Sequence, residues 1–558
     1  MTQEITFETV SLSSLAKVFP DEEIQDPVLQ GATALWNEIY SYQIAYRCEG
    51  KLLRPMQIRM HSDIQRHVQI RSVGVVPVEM PTYHDHDDDV LRVTPGLYPD
   101  PLYPIEGFRL TGLPGQWRSI WIEVDVTDDI EPGTHSIEIA FETDEGELLG
   151  RQSFDLVVVG IELPKQTLIR TEWFHSDCLA AYYGVEVFSS EHWQWIRKYV
   201  RTAVRNGINM ILTPLFTPPL DTFIGGERQT VQLVGVEQQG DGYRFDFDRL
   251  EQWIRLCEDC GVEYFEFSHL FTQWGAKSAP KIMGQVNGEQ KQLFGWEHSS
   301  TGQEYQHFLE MFLPELRAFI LQHQLESRVY FHISDEPGPA DLEIYEKASR
   351  LIQKHMGEFS IIDALSDYSF YEKGLVEKPI PSNDHIEPFI QNEVPDLWTY
   401  YCSGQYKGGV SNRFLNMPSY RNRIIGMQLY KFRIAGFLHW GYNFWNSHLS
   451  KRTIDPYRVM DGDYAYPAGD AYVVYPGESG PIESLRLRVF HEGIQDMRML
   501  QLLEQLAGRE QTLIWLEEGL STPLAFHQYP HHPSWILSKR EYLIKKIVAC
   551  KEKRRLAD

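Results

Sequence analysis

After Leu163-Pro164-Lys165 the chain alternates short β-branched and aromatic runs with longer helical stretches, and this constrains the fold more tightly than any other feature. It signals βαβ units and a parallel sheet covered on both faces. Strand-like runs fall at 168–175, 208–213, 263–269, 328–333, 360–365, 397–401, 436–440 and 471–475. Helical stretches at 191–206, 249–260, 302–323, 340–355 and 419–433 lie between them. Eight strands are enough to close a (β/α)8 TIM-like barrel. The last strand pairs are the least regular, so the pattern also fits a distorted barrel.

The flanking segments follow other rules. Residues 1–163 carry alternating apolar and polar runs at 57–60, 67–73, 119–126, 135–141 and 153–159, with Glu131-Pro132-Gly133-Thr134 as a turn, which predicts an antiparallel β-sandwich. From residue 484 the spacing of Leu485, Leu487, Val489, Phe490, Ile494, Met497, Leu500 and Leu503 is helical, and another helix is expected over 533–556. At 558 residues the chain exceeds one core. The expected division is a sandwich at 1–163, a barrel at 164–483 and helices packed on the barrel at 484–558.

Inside the barrel segment, Arg328-Val329-Tyr330-Phe331-His332-Ile333 runs into Ser334-Asp335-Glu336-Pro337-Gly338-Pro339. The prolines stop the strand, so Asp335 and Glu336 sit at its C-terminal mouth, which is the catalytic face of a barrel. Two carboxyls in one partly dry pocket do not ionise equally: one becomes a proton donor while the other stays charged, and such a pair suits glycosidic bond cleavage. Strict alternation would send the two side chains to opposite faces, so sharing a pocket requires the backbone to leave β geometry there. Otherwise Asp335 reads as the cap of a helix starting near Ala340, and Glu336 as a solvated side chain. Other strand ends favour the pocket. Trp173, Phe174, His175 and Asp177 close the first strand, His269 and Trp274 the third, and Trp398, Tyr400 and Tyr401 the sixth, while His439-Trp440-Gly441-Tyr442-Asn443-Phe444-Trp445 follows a later one.

Composition narrows the partners. Aromatic residues make up 13% of the chain, an excess that serves sugar stacking and a large core alike. The 52 basic and 78 acidic side chains give a net charge of −26, which disfavours nucleic acid and anionic lipid. No apolar run is long enough to insert in a membrane, and Met1-Thr2-Gln3-Glu4-Ile5-Thr6-Phe7 lacks the basic and apolar regions of a leader, so a cytoplasmic location is expected. Cys257 and Cys260 have CxxC spacing but lie in a helical run without a second pair, and the acidic loop His84-Asp85-His86-Asp87-Asp88-Asp89 reads as solvated charge. Neither a metal nor a cofactor is expected. A homo-oligomer is compatible with all of this.

Several motifs in order resemble those of the glycoside hydrolase family 123-like proteins, whose catalytic portion is also called a DUF4091 domain. They are Glu172-Trp173-Phe174-His175-Ser176-Asp177-Cys178, Ser334-Asp335-Glu336-Pro337, Phe437-Leu438-His439-Trp440-Gly441-Tyr442-Asn443 and Gly469-Asp470-Ala471-Tyr472-Val473-Val474-Tyr475-Pro476-Gly477, extended by Glu492-Gly493-Ile494-Gln495-Asp496. The resemblance spans about residues 60–510. It implies an N-terminal β-sandwich, a (β/α)8 barrel and retaining β-N-acetylgalactosaminidase activity on glycans ending in GalNAc. Carried onto this chain, it implies Glu336 as general acid/base and Asp335 as the residue that orients and stabilises the substrate's 2-acetamido group. Beyond those motifs, Trp440 and Trp445 are expected to stack on the sugar, Tyr401 to bond the acetamido oxygen, and His175, His269 and His439 to meet hydroxyls. Asp177, Trp398 and Tyr442 complete the expected lining. The alternatives are a glucosamine-type or endo-acting specificity on the same scaffold, or a carbohydrate-binding protein without turnover.

Overall fold

The computed structural model describes residues 6–557, so residues 1–5 of the start read above as leaderless lie outside the described residues. Thr6–Ser13, Glu38–Glu49, Arg118–Val126, Val68–Val78 and Gly96–Pro104 form one five-stranded sheet in that order. Gly31–Trp36, Leu148–Glu162, Gly133–Thr143, Leu53–His61 and Arg109–Gly112 form a second. Their alternating apolar faces meet in one core, where Tyr42 stacks on Phe154 with ring centroids 4.0 Å apart. One pair departs from the antiparallel expectation, because Gly31–Trp36 runs parallel to Leu148–Glu162.

Eight parallel strands follow: Ile169–Glu172, Met210–Thr213, Tyr264–Phe267, Val329–Phe331, Ser360–Ala364, Lys378–Ile380, Trp398–Tyr400 and Gly436–His439. The first pairs with the eighth. The sixth meets the seventh through Tyr400 N donating to Pro381 O at 3.2 Å and Asn383 N donating to Tyr400 O at 2.9 Å, so the ring is nearly closed. Met210, Leu212, Tyr330, Ile362, Ile380, Trp398 and Leu438 fill its interior.

The strand expected at 471–475 is not part of this ring. Val474–Tyr475 instead pairs antiparallel with Ile482–Glu483. The barrel takes Lys378–Ile380 in its place, a three-residue strand whose central Pro379 hid it from pattern reading. A four-stranded sheet, Gly242–Asp246, Gly235–Gln239, Ile282–Val286 and Glu289–Phe294, was also not anticipated; it grows from the loops after the second and third barrel strands.

Helices Ser190–Arg205, Asp248–Asp259, Gln303–Gln322 and Leu342–Met356 cover the barrel, and the stretch at 419–433 splits into Ser419–Arg423 and Ile425–Lys431. Leu485–Ala507 packs behind the ring, with Phe490 against Phe437 and Tyr401, and Pro533–Ala557 lies on it. Among the described residues no helix is long and apolar enough to cross a membrane.

Candidate active site

The fourth barrel strand delivers the acid pair. Past Phe331 the chain continues to Asp335, and Glu336 then enters the left-handed region at φ 43°, where its amide donates to Ala364 O at 3.0 Å. This departure from β geometry lets two consecutive carboxyls face one cavity. The cavity, about 250 Å³, is walled by Trp173, Trp274, Trp440, Tyr400, Tyr466 and Tyr83, and Asp221, Gln273, Cys402, Ser403 and His448 also reach it. Asp221 and Trp274 adopt φ of 40° and 57°. Three cavity-lining residues thus sit in a conformation costing roughly 1–3 kcal/mol each for a non-glycine residue, a pattern typical of functional sites. A larger cavity, about 620 Å³, opens at the N-terminal strand ends, far from the acids.

Burial, reinforced by the neighbouring Glu336 charge, raises the Asp335 pKa well above the usual carboxylate value, and His332 opposes the rise. Burial raises Glu336 too, opposed by the Tyr400 hydroxyl, which donates to Glu336 Oε1 at 2.5 Å. Water reaches the Glu336 side chain through the cavity even though its carboxyl lies deep enough to be desolvated. Both carboxyls are thus pushed toward the protonated form, and their titration belongs to the pair. Tyr400→Phe removes a donor that favours the Glu336 anion. The acid form should then persist to higher pH, moving the basic limb of the kcat profile upward, which a pH–rate series on the variant checks.

Beneath the pair lies a charged histidine. Burial alone would lower His332, but hydrogen bonds to Asp363 and Glu266 carry it up to about 9. Glu266 also accepts from Trp173 Nε1 at 2.7 Å, which fixes that indole in the cavity wall. His269, His332 and Asp363 lie close enough to suggest a metal site. The two imidazoles, however, stack at 4.1 Å with planes only 19° apart, so their in-plane lone pairs cannot converge on one ion, and both His332 nitrogens face carboxylates.

Of the residues expected at the site, Asp335, Glu336 and Trp440 line the cavity, together with Trp173, Trp274 and Tyr400 from the aromatic strand ends. Trp440 Nε1 donates to Asp470 Oδ2 at 2.8 Å. The remainder lie elsewhere. His175 is buried behind Trp440, contacting its carbonyl at 3.1 Å and Arg228 at 3.0 Å, and burial, aided by Arg228, pushes its pKa down to about 3. Asp177 forms a buried ion pair with Arg228. His269 is buried under Trp173, and His439 is buried with Nδ1 accepting from Gly441 N at 3.0 Å. Tyr442 donates to Tyr199 O and Trp445 to Val474 O, both in the packing between barrel and helices. Trp398 begins its strand and therefore faces the opposite mouth. Tyr401 does not reach the cavity: strand parity turns it outward to Phe437 and Phe490, while its neighbour Tyr400 points at Glu336. Asp221, Gln273, His448, Tyr466 and Tyr83 join the cavity-lining residues, each in a loop or, for His448, a single 3-10 turn, where no periodicity assigns a direction.

An acid pair at the C-terminal mouth of a (β/α)8 barrel, walled by indoles and phenols, defines a sugar-cleaving class of enzyme. The glycoside hydrolase 123 catalytic domain family matches residues 173–503, and the chain belongs to that family. The whole fold is similar to a family 123 glycoside hydrolase from Clostridium perfringens that is described for glycolipid glycan hydrolysis. That enzyme is 15% identical, with 99% of this chain and 100% of that one covered and a TM-score of 0.77. A beta-glucuronidase from Parabacteroides merdae is 12% identical over 88% of this chain and 54% of its own, with a TM-score of 0.31, too distant to bear on the site. No curated protein matches the chain.

Proposed function

We propose that this glycoside hydrolase is a retaining exo-β-N-acetylgalactosaminidase that uses the substrate's own acetamido group as nucleophile. The observation that carries the reading is the placement of consecutive Asp335 and Glu336 in one small cavity. Glu336 protonates the glycosidic oxygen while the acetamido carbonyl oxygen attacks C1. The C1–O bond to the leaving group breaks, and a bicyclic oxazolinium forms. Asp335, as carboxylate, accepts the acetamido N–H and offsets the developing positive charge. Glu336 then takes a proton from water, which opens the ring at C1 with overall retention. Substrate binding favours the protonation this route needs, because an N–H donated to Asp335 stabilises its anion while burial keeps Glu336 inclined to hold a proton.

A cavity of about 250 Å³ accommodates a terminal sugar better than an internal one, which supports exo action. Asp221 lines it with Oδ2 sealed from water and without a hydrogen-bond partner, and burial raises its pKa to about 6. In this reading Asp221, as a polar group of the cavity wall, meets a ring hydroxyl of the sugar. The test is a panel of 4-nitrophenyl β-glycosides. Turnover is expected for the GalNAc glycoside ahead of the GlcNAc one; equal or reversed preference would sink the galacto assignment.

A further inference from the structure

Residues 80–91 belong to the sandwich segment yet lie across the barrel mouth. Ala468 N donates to Met80 O at 3.3 Å, and Leu91 N donates to Asn416 O at 2.8 Å, so both ends are tied to the barrel. Asp85, Asp87 and Asp89, which read as solvated charge in sequence, are engaged by barrel groups. Asp85 accepts from Tyr406 Oη at 2.8 Å and Lys407 Nζ at 2.6 Å. Asp87 takes both terminal nitrogens of the buried Arg421 guanidinium, at 2.7 and 2.8 Å, together with Gly409 N at 3.0 Å. A bidentate, partly desolvated pair of this kind fixes orientation as well as distance.

These contacts hold Tyr83 in place. Its ring lines the cavity, its hydroxyl donates to Ala465 O at 3.1 Å, and Tyr406 braces it edge-on at 4.7 Å. Cys402 and Ser403 share that wall, just past Tyr400, whose hydroxyl holds Glu336. Tyr83 thus shares the cavity with Glu336 on the wall that Cys402 and Ser403 form, and in the reading above a leaving group protonated by Glu336 departs along such a wall.

We propose that Tyr83 is the wall that contacts the leaving group and that the Asp87–Arg421 pair is the clamp that positions it, so that the sandwich completes the active site. The proposal rests on Glu336 acting as proton donor in the reading above. Steady-state kinetics with 4-nitrophenyl and methyl β-GalNAc test it, since the ratio of variant to wild type cancels the intrinsic difference between the leaving groups. Tyr83→Ala should raise KM for the nitrophenyl glycoside by about tenfold, the scale of one aromatic contact, and leave the methyl glycoside within about threefold. Tyr83→Phe keeps the ring and loses only the bond to Ala465 O, so its rise in KM for the nitrophenyl glycoside should be smaller than that of Tyr83→Ala. Asp87→Asn should show a smaller rise with the same dependence on leaving group, together with faster amide hydrogen exchange across residues 82–90. An equal loss on both substrates, or none with Tyr83→Ala, overturns the contact. Unchanged exchange and KM in Asp87→Asn overturn the clamp. Wild-type protein inert toward both substrates would instead overturn the reading of the site, and the exchange measurement would still judge the clamp.

Discussion

Glu336→Gln should lower kcat on a poor leaving group by about 10²–10⁴-fold, the span that a positioned general acid/base supplies. The amide keeps the volume and the Tyr400 contact but cannot deliver a proton to the departing oxygen. The size of the loss should follow leaving-group basicity. A sugar or methyl aglycone leaves as an alkoxide unless protonated and takes the full penalty, whereas a dinitrophenolate needs little help and should retain most of its departure rate. Ring opening of the oxazolinium also uses Glu336, now as base, so with activated substrates the second step should become limiting and a burst of phenolate should appear. The Glu336 side chain faces the cavity and accepts from Tyr400, so folding should change little. A thermal melt alongside the kinetics checks that. Activity close to wild type on methyl β-GalNAc would remove Glu336 from the proton-transfer role.

Legibility in the sequence followed local chemistry. The strand ending in Ser334-Asp335-Glu336-Pro337 could be read because β-branched residues and prolines act on their own segment, and the need for a break in β geometry is met at Glu336, φ 43°. Lys378–Ile380 was illegible for the opposite reason: three residues with a central proline form a strand only because neighbours on both sides hold them. Tyr401 against Tyr400 shows the cost of one position of parity, which a sequence with a three-residue strand cannot resolve. His175, Asp177, His269, His439, Tyr442 and Trp445 stand near the same mouth in sequence but one layer deeper in space, positioning or packing behind the cavity walls rather than forming them. Tyr83 and Asp221 depend on tertiary contacts with distant loops, such as Ala465 O to Tyr83 and Ser450 Oγ to Asp221 O. No short-range pattern encodes those.

Substrates without a 2-acetamido group should not turn over, because the reading leaves the enzyme with no nucleophile of its own at C1. Asp335→Asn should lower kcat on the GalNAc glycoside by about 10²–10³-fold, the range lost when one preorganised electrostatic contact to a developing charge is removed. KM should change far less, since the contact strengthens as the oxazolinium forms. The nucleophile can be tested separately from the protein. Replacing the acetyl group by mono-, di- and trifluoroacetyl withdraws electrons from the carbonyl oxygen, so kcat should fall steeply along the series if that oxygen attacks C1. An enzyme carboxylate as nucleophile would be nearly indifferent to the same change. A flat fluoroacetyl series together with turnover of the plain galactoside would end the substrate-assisted reading. A steep series with an inert galactoside would leave Asp335 as the residue that steadies the internal attack.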